Sequence, residues 1–340
     1  DFRSGYYRDQ TFMMAIGQMS IRQMFAGLYG HTDLELEPSS GGRQMSGHYA
    51  SRTLNDDGTW KNLMKIKNSS ADVSCTASQM PRLLGLAQAS KIYRKNKSLE
   101  DWTSFSNKGN EVAFGTIGDS STSEGLFFET INAAGVLQVP MIMSVWDDGY
   151  GISVPSKYQT TKESISEVLK GFQRDENNSG YEIFRVKGWD YPSLIETYQK
   201  AEKIAREEHV PCLIHVMEMT QPQGHSTSGS HERYKSKDRL QWEADFDPTF
   251  AIIDVNNLSV IKNNKEIKLS EDQSIAKKIL LDNNISFTSL FDKHAFIAKQ
   301  YGVSNLPHSV LIKDGIIVWE GRKKLTKITL NNLKKYLYED

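Results

Sequence analysis

Cysteine is almost absent from this chain. Its 340 residues include two, Cys75 and Cys212, too few for a disulfide framework or for a zinc cluster built on cysteine. No stretch approaches the ~20 apolar residues of a membrane-spanning helix, and none reads as a signal peptide, so a membrane role is not expected. Charge of one sign is missing as well. Lys and Arg number 41 against 42 Asp and Glu, for a formal net charge of −1, and aromatic residues are not interleaved with arginines. No basic face therefore argues for nucleic acid. What remains is ordinary for a globular protein, with 38% hydrophobic and 24% charged residues. The length suggests about two domains, and the scarcity of cysteine suits a reducing cytoplasm.

The most informative stretch is 118–151, GDSSTSEGLFFETINAAGVLQVPMIMSVWDDGYG. The apolar run 112–117 before it predicts a strand that delivers Gly118 and Asp119 to the edge of a parallel sheet, where ligands of open α/β sheets sit. Residues 124–137 predict a helix, and 140–146 a second buried strand ending at Asp147, Asp148, Gly149 and Tyr150. Two acidic clusters then end neighbouring strands on one side. A diphosphate needs a hard cation such as Mg²⁺, which takes oxygen ligands. Asp119 and Asp148 supply carboxylates, Gly149 permits a turn that aims the Tyr150 carbonyl, and backbone N–H groups of 118–123 can approach phosphate oxygens. Taken singly, Asp147-Asp148-Gly149 is a β-turn and Gly118-Asp119 a strand terminus; together they point to a diphosphate and metal site.

Further segments keep the same order. Tyr7-Arg8-Asp9 offers Arg8 as a forked phosphate donor. Gly42-Arg43-Gln44-Met45 is followed by His48-Tyr49, residues 74–81 read SCTASQMP, and Gly224-His225-Ser226-Thr227-Ser228 forms a Ser/Gly-rich loop. With Gly118-Asp119-Ser120, Ser123-Glu124-Gly125 and 147–153, these segments resemble, over residues 1–247, the thiamine diphosphate-dependent E1 component of 2-oxo acid dehydrogenase complexes. The likeness is to its α-type subunit or half. Four positions depart from the family pattern: Ser120 replaces a glycine, Asp147 and Asp148 replace an asparagine pair, and Trp146 replaces an arginine. Gly224 also stands where the family has a second histidine.

The resemblance implies an α/β fold, a thiamine diphosphate-binding doubly wound parallel sheet with helices on both faces. It implies thiamine diphosphate and Mg²⁺ as cofactors, with Asp119, Asp148 and the Tyr150 carbonyl on the metal. Tyr7, Arg8, Ser74, Thr76, Gly118, Asp119, Ser120, Ser121, Glu124 and His225 are expected to bind the cofactor, and His225 and His48 to lie near the reacting centre. The implied reaction is oxidative decarboxylation of a 2-oxo acid, branched-chain in preference to pyruvate, with acyl transfer to a lipoyl-bearing E2. A β-type subunit or half would supply the catalytic glutamate, so a hetero- or homo-oligomer is expected and this chain alone should turn over little. A transketolase-like carboligase shares the cofactor but not the segments at Gly42 and Gly224.

Elsewhere, 10–29 and 79–93 predict buried helices and 181–187 a strand. Ser193 to Glu196 reads as a capping box opening a helix to about His209, and 211–219 as another strand. Beginning directly at a phosphate-binding segment without methionine, the chain is expected to be a fragment. Composition shifts at 246–249, and we place a boundary there between domains 1–247 and 251–340. In the second, helices at 274–284, 295–301 and 329–338, a strand at 287–291 and a hairpin at 308–320 turning on Asp314-Gly315 are predicted. Residues 301–307 with that hairpin and Trp319 resemble the carboxyl-terminal part of a thioredoxin-like domain. Its dithiol is missing, since no cysteine follows Cys212, so a partial, redox-inactive thioredoxin-like module is expected. The alternative function is a redox-inactive binding module on an α/β scaffold. A natural fusion, a fragment and two joined pieces all remain open.

Overall fold

A computed structural model of the chain describes residues 1–43, 48–221, 223–225 and 230–246, together with five strand segments between 252 and 321. The chain forms two compact units, residues 1–187 with 195–219, and residues 188–194 with 220–340.

Strands β1 (Phe2–Ser4), β2 (Asn68–Ser69), β3 (Ala113–Gly118), β4 (Met141–Trp146), β5 (Tyr150–Gly151), β6 (Val154–Pro155), β7 (Glu182–Lys187) and β8 (Cys212–Met217) belong to the first unit. Six of them form one sheet in the order β2-β1-β3-β4-β8-β7, and every pair in it is parallel. β5 and β6 make a small antiparallel hairpin. Strands buried on both faces read as continuous apolar runs, which is why MIMSVW and CLIHVM form the interior strands β4 and β8.

Helices α1 (Gln10–Ala15), α2 (Ile21–Leu28), α3 (Gln79–Lys95), α4 (Gly125–Leu137), α5 (Ile165–Val168) and α6 (Tyr191–Glu208) flank the sheet or its loops. On one face Met80, Leu83 and Ala87 of α3, Phe127, Ile131 and Ala134 of α4, and Ile165 of α5 pack with Ala113, Ile117, Met141, Met143, Val145 and Leu213. On the other face Phe114 meets Phe12 of α1 and Tyr198 of α6, with ring centroids 5.5 and 6.3 Å apart. The alternation of side chains along β3 sends odd residues to one layer and even ones to the other. This is the doubly wound α/β architecture that the resemblance implied.

Two local expectations are corrected. Residues 10–29 are not one buried helix. Gly17, at φ +74°, breaks the segment, and Ser20 then caps α2 in a capping box with Gln23. α2 also leaves Ile21, Phe25 and Leu28 exposed. The helix expected to open at Ser193 begins at Tyr191 instead. The Asp190 carboxylate accepts from the Ser193 N–H at 3.3 Å and its hydroxyl at 2.7 Å, so Asp190 is the cap and Ser193 lies inside the first turn.

In the second unit α7 (Lys237–Phe246) stacks Trp242 on Phe246, 5.2 Å between centroids. Lys235, fully buried, pairs with Glu243 at 2.7 Å. Strands β9 (Ile252–Asp254), β10 (Ser259–Lys262) and β11 (Lys265–Lys268) form an antiparallel meander. β12 (Ser309–Lys313) and β13 (Ile316–Gly321) form an antiparallel hairpin around positions 314–315, where a hairpin was expected. The predicted helices at 274–284, 295–301 and 329–338, the strand at 287–291 and Pro307 lie outside the described residues.

Gly115 sets how closely α3 approaches the sheet. A Cβ there would lie 2.7 Å from Leu83 Cδ2 and 3.1 Å from the Ser4 carbonyl. Gly115→Ala is therefore expected to cost ~1–3 kcal/mol in urea unfolding, the range for overpacking a tight core. Combined with Leu83→Ala the cost should be smaller than the sum, because each change fills the space the other lacks. Strict additivity in the double-mutant cycle would contradict the close approach.

Candidate diphosphate and metal site

The register of β3 and β4 pairs Gly118 with Trp146, and the Asp119 N–H donates to the Trp146 carbonyl at 3.0 Å. Asp119 therefore leaves the sheet beside the loop that begins at Asp147. It opens a 3-10 turn, Ser120–Ser123, that leads into α4. The Asp119 side chain is buried and its Oδ2 has no hydrogen-bond partner. Burial, then the negative charges of Asp147 and Asp148, push its pKa up to about 8.

The two acidic residues after β4 are placed differently. Asp147 Oδ1 accepts the Gly149 N–H at 2.7 Å, and its Oδ2 lies 2.8 Å from His215 Nε2. Asp148 Oδ1 accepts the Tyr150 N–H at 3.2 Å. Gly149 sits at φ +81°, a conformation glycine adopts without strain, and the chain turns there into β5. Among the described residues no group of three or more His, Cys, Asp or Glu side chains is arranged to hold a metal alone. The orphaned Asp119 oxygen, beside the Asp147 and Asp148 charges, fits a hard divalent cation, which takes oxygen ligands and neutralises this charge. Trp146 offers no substitute for an arginine, because its indole N–H donates to Ser144 Oγ at 2.9 Å.

A second cluster lies at the carboxyl ends of β1 and β2. The Tyr7 ring stacks on His48, with centroids 5.8 Å apart and planes 15° apart, and His48 Nε2 hydrogen-bonds Ser74 Oγ. The exposed Arg8 guanidinium lies 5.5 Å from the centroid of the Tyr7 ring. Burial raises the Tyr6 phenol pKa, and the neighbouring Thr76 side chain works against that rise.

Beneath this segment is a network that sequence reasoning missed. Buried Arg3 donates to Asp72 Oδ1 at 2.8 Å, Asp9 Oδ2 at 2.7 Å and Ser69 Oγ at 2.6 Å. Asp9 Oδ2 also accepts from the Thr116 hydroxyl at 2.7 Å, tying the segment to β3. Burial pushes the Asp72 carboxyl up to about 6, against the pull of Arg3. The one signal in the sequence is an arginine inside a strand whose neighbours are buried.

The remaining expected residues are spread out. Ser120 and Ser121 are half-buried in the 3-10 turn, whereas Glu124 is exposed at the start of α4 without a side-chain cap bond. Half-buried His225 belongs to the second unit. Its neighbour Gly224, at φ +70°, would place a Cβ 2.7 Å from Tyr234 Oη. Gln44, Met45 and 226–229 lie outside the described residues.

A model of the dehydrogenase E1 component family matches residues 1–253. Over 248 residues the chain is 27% identical to a Bacillus subtilis (strain 168) protein named 2-oxoisovalerate dehydrogenase subunit alpha, covering 73% of this chain and 63% of that one. The mitochondrial 2-oxoisovalerate dehydrogenase subunit alpha of Dictyostelium discoideum is 31% identical over 210 residues, 61% of this chain and 40% of that one. The pyruvate dehydrogenase E1 component subunit alpha of Rickettsia bellii (strain RML369-C) is 22% identical over 181 residues, 52% of this chain and 53% of that one. The chain thus spans less than two thirds of the length of each of these relatives.

The raised pKa of Asp119 has a definite sign. With a folded value of about 8 against an ordinary 3.8, the native state keeps a proton that the unfolded chain has lost. This stabilising contribution is present at low pH and is lost as pH rises through that window. Asn at 119 has no proton to lose. In chelator, the melting temperature of Asp119→Asn is expected to match the parent near pH 4 and exceed it by ~5 °C or more at pH 8.5, given ~1.4 kcal/mol per pKa unit. A gap independent of pH would contradict the electrostatic account.

Proposed function

Because the chain belongs to the dehydrogenase E1 component family, we propose that it is the α-type part of a thiamine diphosphate-dependent 2-oxo acid dehydrogenase, holding the diphosphate and metal end of the cofactor. The observation that carries this reading is the buried Asp119 oxygen without a partner, beside two further carboxylates at the edge of β3 and β4. Asp119, Asp148 and the Tyr150 carbonyl hold Mg²⁺. Backbone N–H groups of Gly118, Ser120 and Ser121, with Tyr7 and Arg8, take the diphosphate. Ser74, Thr76 and Glu124 line the cofactor further out, and His48 serves the reacting end.

When bound, thiamine diphosphate supplies the nucleophile and electron sink that decarboxylation of a 2-oxo acid requires. This chain's residues bind and orient it. Arg8 is an exposed planar fork suited to phosphate oxygens, and the Arg3 network fixes the loop that carries it. The substrate is a branched-chain 2-oxo acid. Supporting this choice are two relatives named for 2-oxoisovalerate at 27% and 31% identity, against 22% for the pyruvate-named one. The acyl acceptor is a lipoyl group on an E2 partner, and a β-type subunit supplies the catalytic glutamate. Without a cysteine after Cys212, residues 251–340 are redox-silent, and the two unpaired cysteines suit a reducing cytoplasm.

Calorimetric titration of thiamine diphosphate into the chain tests the reading. Binding is expected only with Mg²⁺ present, about tenfold or more weaker in Asp119→Ala, and undiminished in Asp148→Asn, which keeps an oxygen donor and removes a charge beside the phosphates. Metal-independent binding, or an unchanged affinity in Asp119→Ala, would sink the assignment. Decarboxylation of 2-oxoisovalerate should appear only after a β-type partner is added; turnover by the chain alone would refute the division of labour.

A further inference from the structure

Asp147 is not one of the proposed metal ligands, yet it is the most tethered residue of the loop. Its N–H donates to the Val216 carbonyl at 2.9 Å and its own carbonyl accepts the Met219 N–H at 3.0 Å, which locks its main chain to the β8 side. One carboxylate oxygen holds the Gly149 amide and the other meets His215. His215 stands in the middle of β8, 1% exposed, and its Nδ1 lies 2.8 Å from Ser166 Oγ at the start of α5. Ser166 Oγ in turn lies 3.2 Å from Ser164 Oγ.

An ionised carboxylate only accepts hydrogen bonds. Nε2–H of His215 therefore donates to Asp147, and Nδ1 lies within hydrogen-bond distance of the Ser166 hydroxyl. The hydrogen-bonded chain runs from Ser166 through His215 to one Asp147 oxygen, with the Gly149 amide on the other. The order Ser-His-Asp matches that of a nucleophilic triad. Burial excludes that use, because Ser166 is 5% exposed and no substrate reaches its hydroxyl. The constellation serves geometry.

We propose that the buried Ser166-His215-Asp147 chain is the device that sets the turn presenting Asp148 and the Tyr150 carbonyl, with His215 as its positioning residue. The carboxylate of Asp147 is free to rotate about its side-chain bonds unless its second oxygen is held. Held by His215, it keeps the other oxygen on the Gly149 N–H, and the turn at Gly149 then sets Asp148 and Tyr150, on either side of it, at the edge that carries Asp119. Removing the imidazole leaves the Asp147 oxygen without that donor and Ser166 with Ser164 alone, and the carboxylate turns to find water.

The proposal rests on the metal assignment above, so its test has one arm that needs no metal. In glycine-labelled full-length protein, exchange of the Gly149 amide is followed in chelator for the parent, His215→Leu, His215→Gln and Ser166→Ala. The Gln side chain places an N–H donor where Nε2 stands, whereas Leu fills the space without one. His215→Leu is expected to exchange about tenfold faster at Gly149, Ser166→Ala severalfold faster, and His215→Gln within about twofold of the parent. The second arm is Mg²⁺-dependent thiamine diphosphate titration, with a matching loss in His215→Leu and retention in His215→Gln. Unchanged Gly149 exchange in both His215→Leu and Ser166→Ala overturns the proposal, as does equal damage from Gln and Leu. Should the parent itself bind no thiamine diphosphate with Mg²⁺, the metal assignment fails and the exchange arm decides the positioning role. Should His215→Leu not fold, Ser166→Ala and His215→Gln decide it.

Discussion

Gly118 and Trp146 are partners in adjacent parallel strands, and each is followed at once by acid. That register is the constraint from which the site follows. Like charges ~4 Å apart repel by about 4 kcal/mol at the effective dielectric of a protein surface, so three carboxylates leaving one sheet edge must be dealt with individually. Asp147 is absorbed by His215 and the Gly149 amide, and Asp148 has one oxygen on the Tyr150 amide. Asp119, the most buried of the three, keeps an oxygen with no partner and answers by holding its proton to about pH 8. A divalent cation is the natural replacement for that proton.

The neighbouring edge is held by opposite charge instead. Arg3 reaches two carboxylates and a hydroxyl from inside β1, and the Gly5 position has no room for a Cβ because one would lie 1.9 Å from the guanidinium. Buried ion pairs give little net stability once desolvation is counted, but losing one partner is costly. Here the network fixes where the chain goes after β1. It carries Tyr7 onto His48 and sets the exposed Arg8 beside the Tyr7 ring. Asp9 bridges to Thr116, so the arginine-bearing loop and the acidic edge are referenced to the same strand.

Much of this was legible in the sequence because buried parallel strands and long amphipathic helices leave unambiguous apolar runs; β3, β4, β8, α3 and α4 fall within a residue or two of expectation. Residues 10–29 were misread because methionine and glutamine favour helix throughout, masking the break at Gly17 and the cap at Ser20. Asp190 was passed over in favour of Ser193 since both are capping residues within one turn. Arg3 with Asp72 and Asp147 with His215 were out of reach for a different reason. The partners are 69 and 68 positions apart, and only the strand order brings them together. In the second unit an Asp-Gly dipeptide between two apolar runs announced the hairpin, whereas the antiparallel strands β9, β10 and β11 were not anticipated.

The central claim is that the edges of β3 and β4 hold a cation jointly with a diphosphate. Titrating Mn²⁺ into the chain and following the sharp electron paramagnetic resonance spectrum of the free ion tests it directly. With thiamine diphosphate present, the free-ion signal should fall as protein is added beyond the loss that thiamine diphosphate causes alone. The same titration with Asp119→Ala should show no further loss. An equal loss in the parent and in Asp119→Ala, or none in either, would contradict the account.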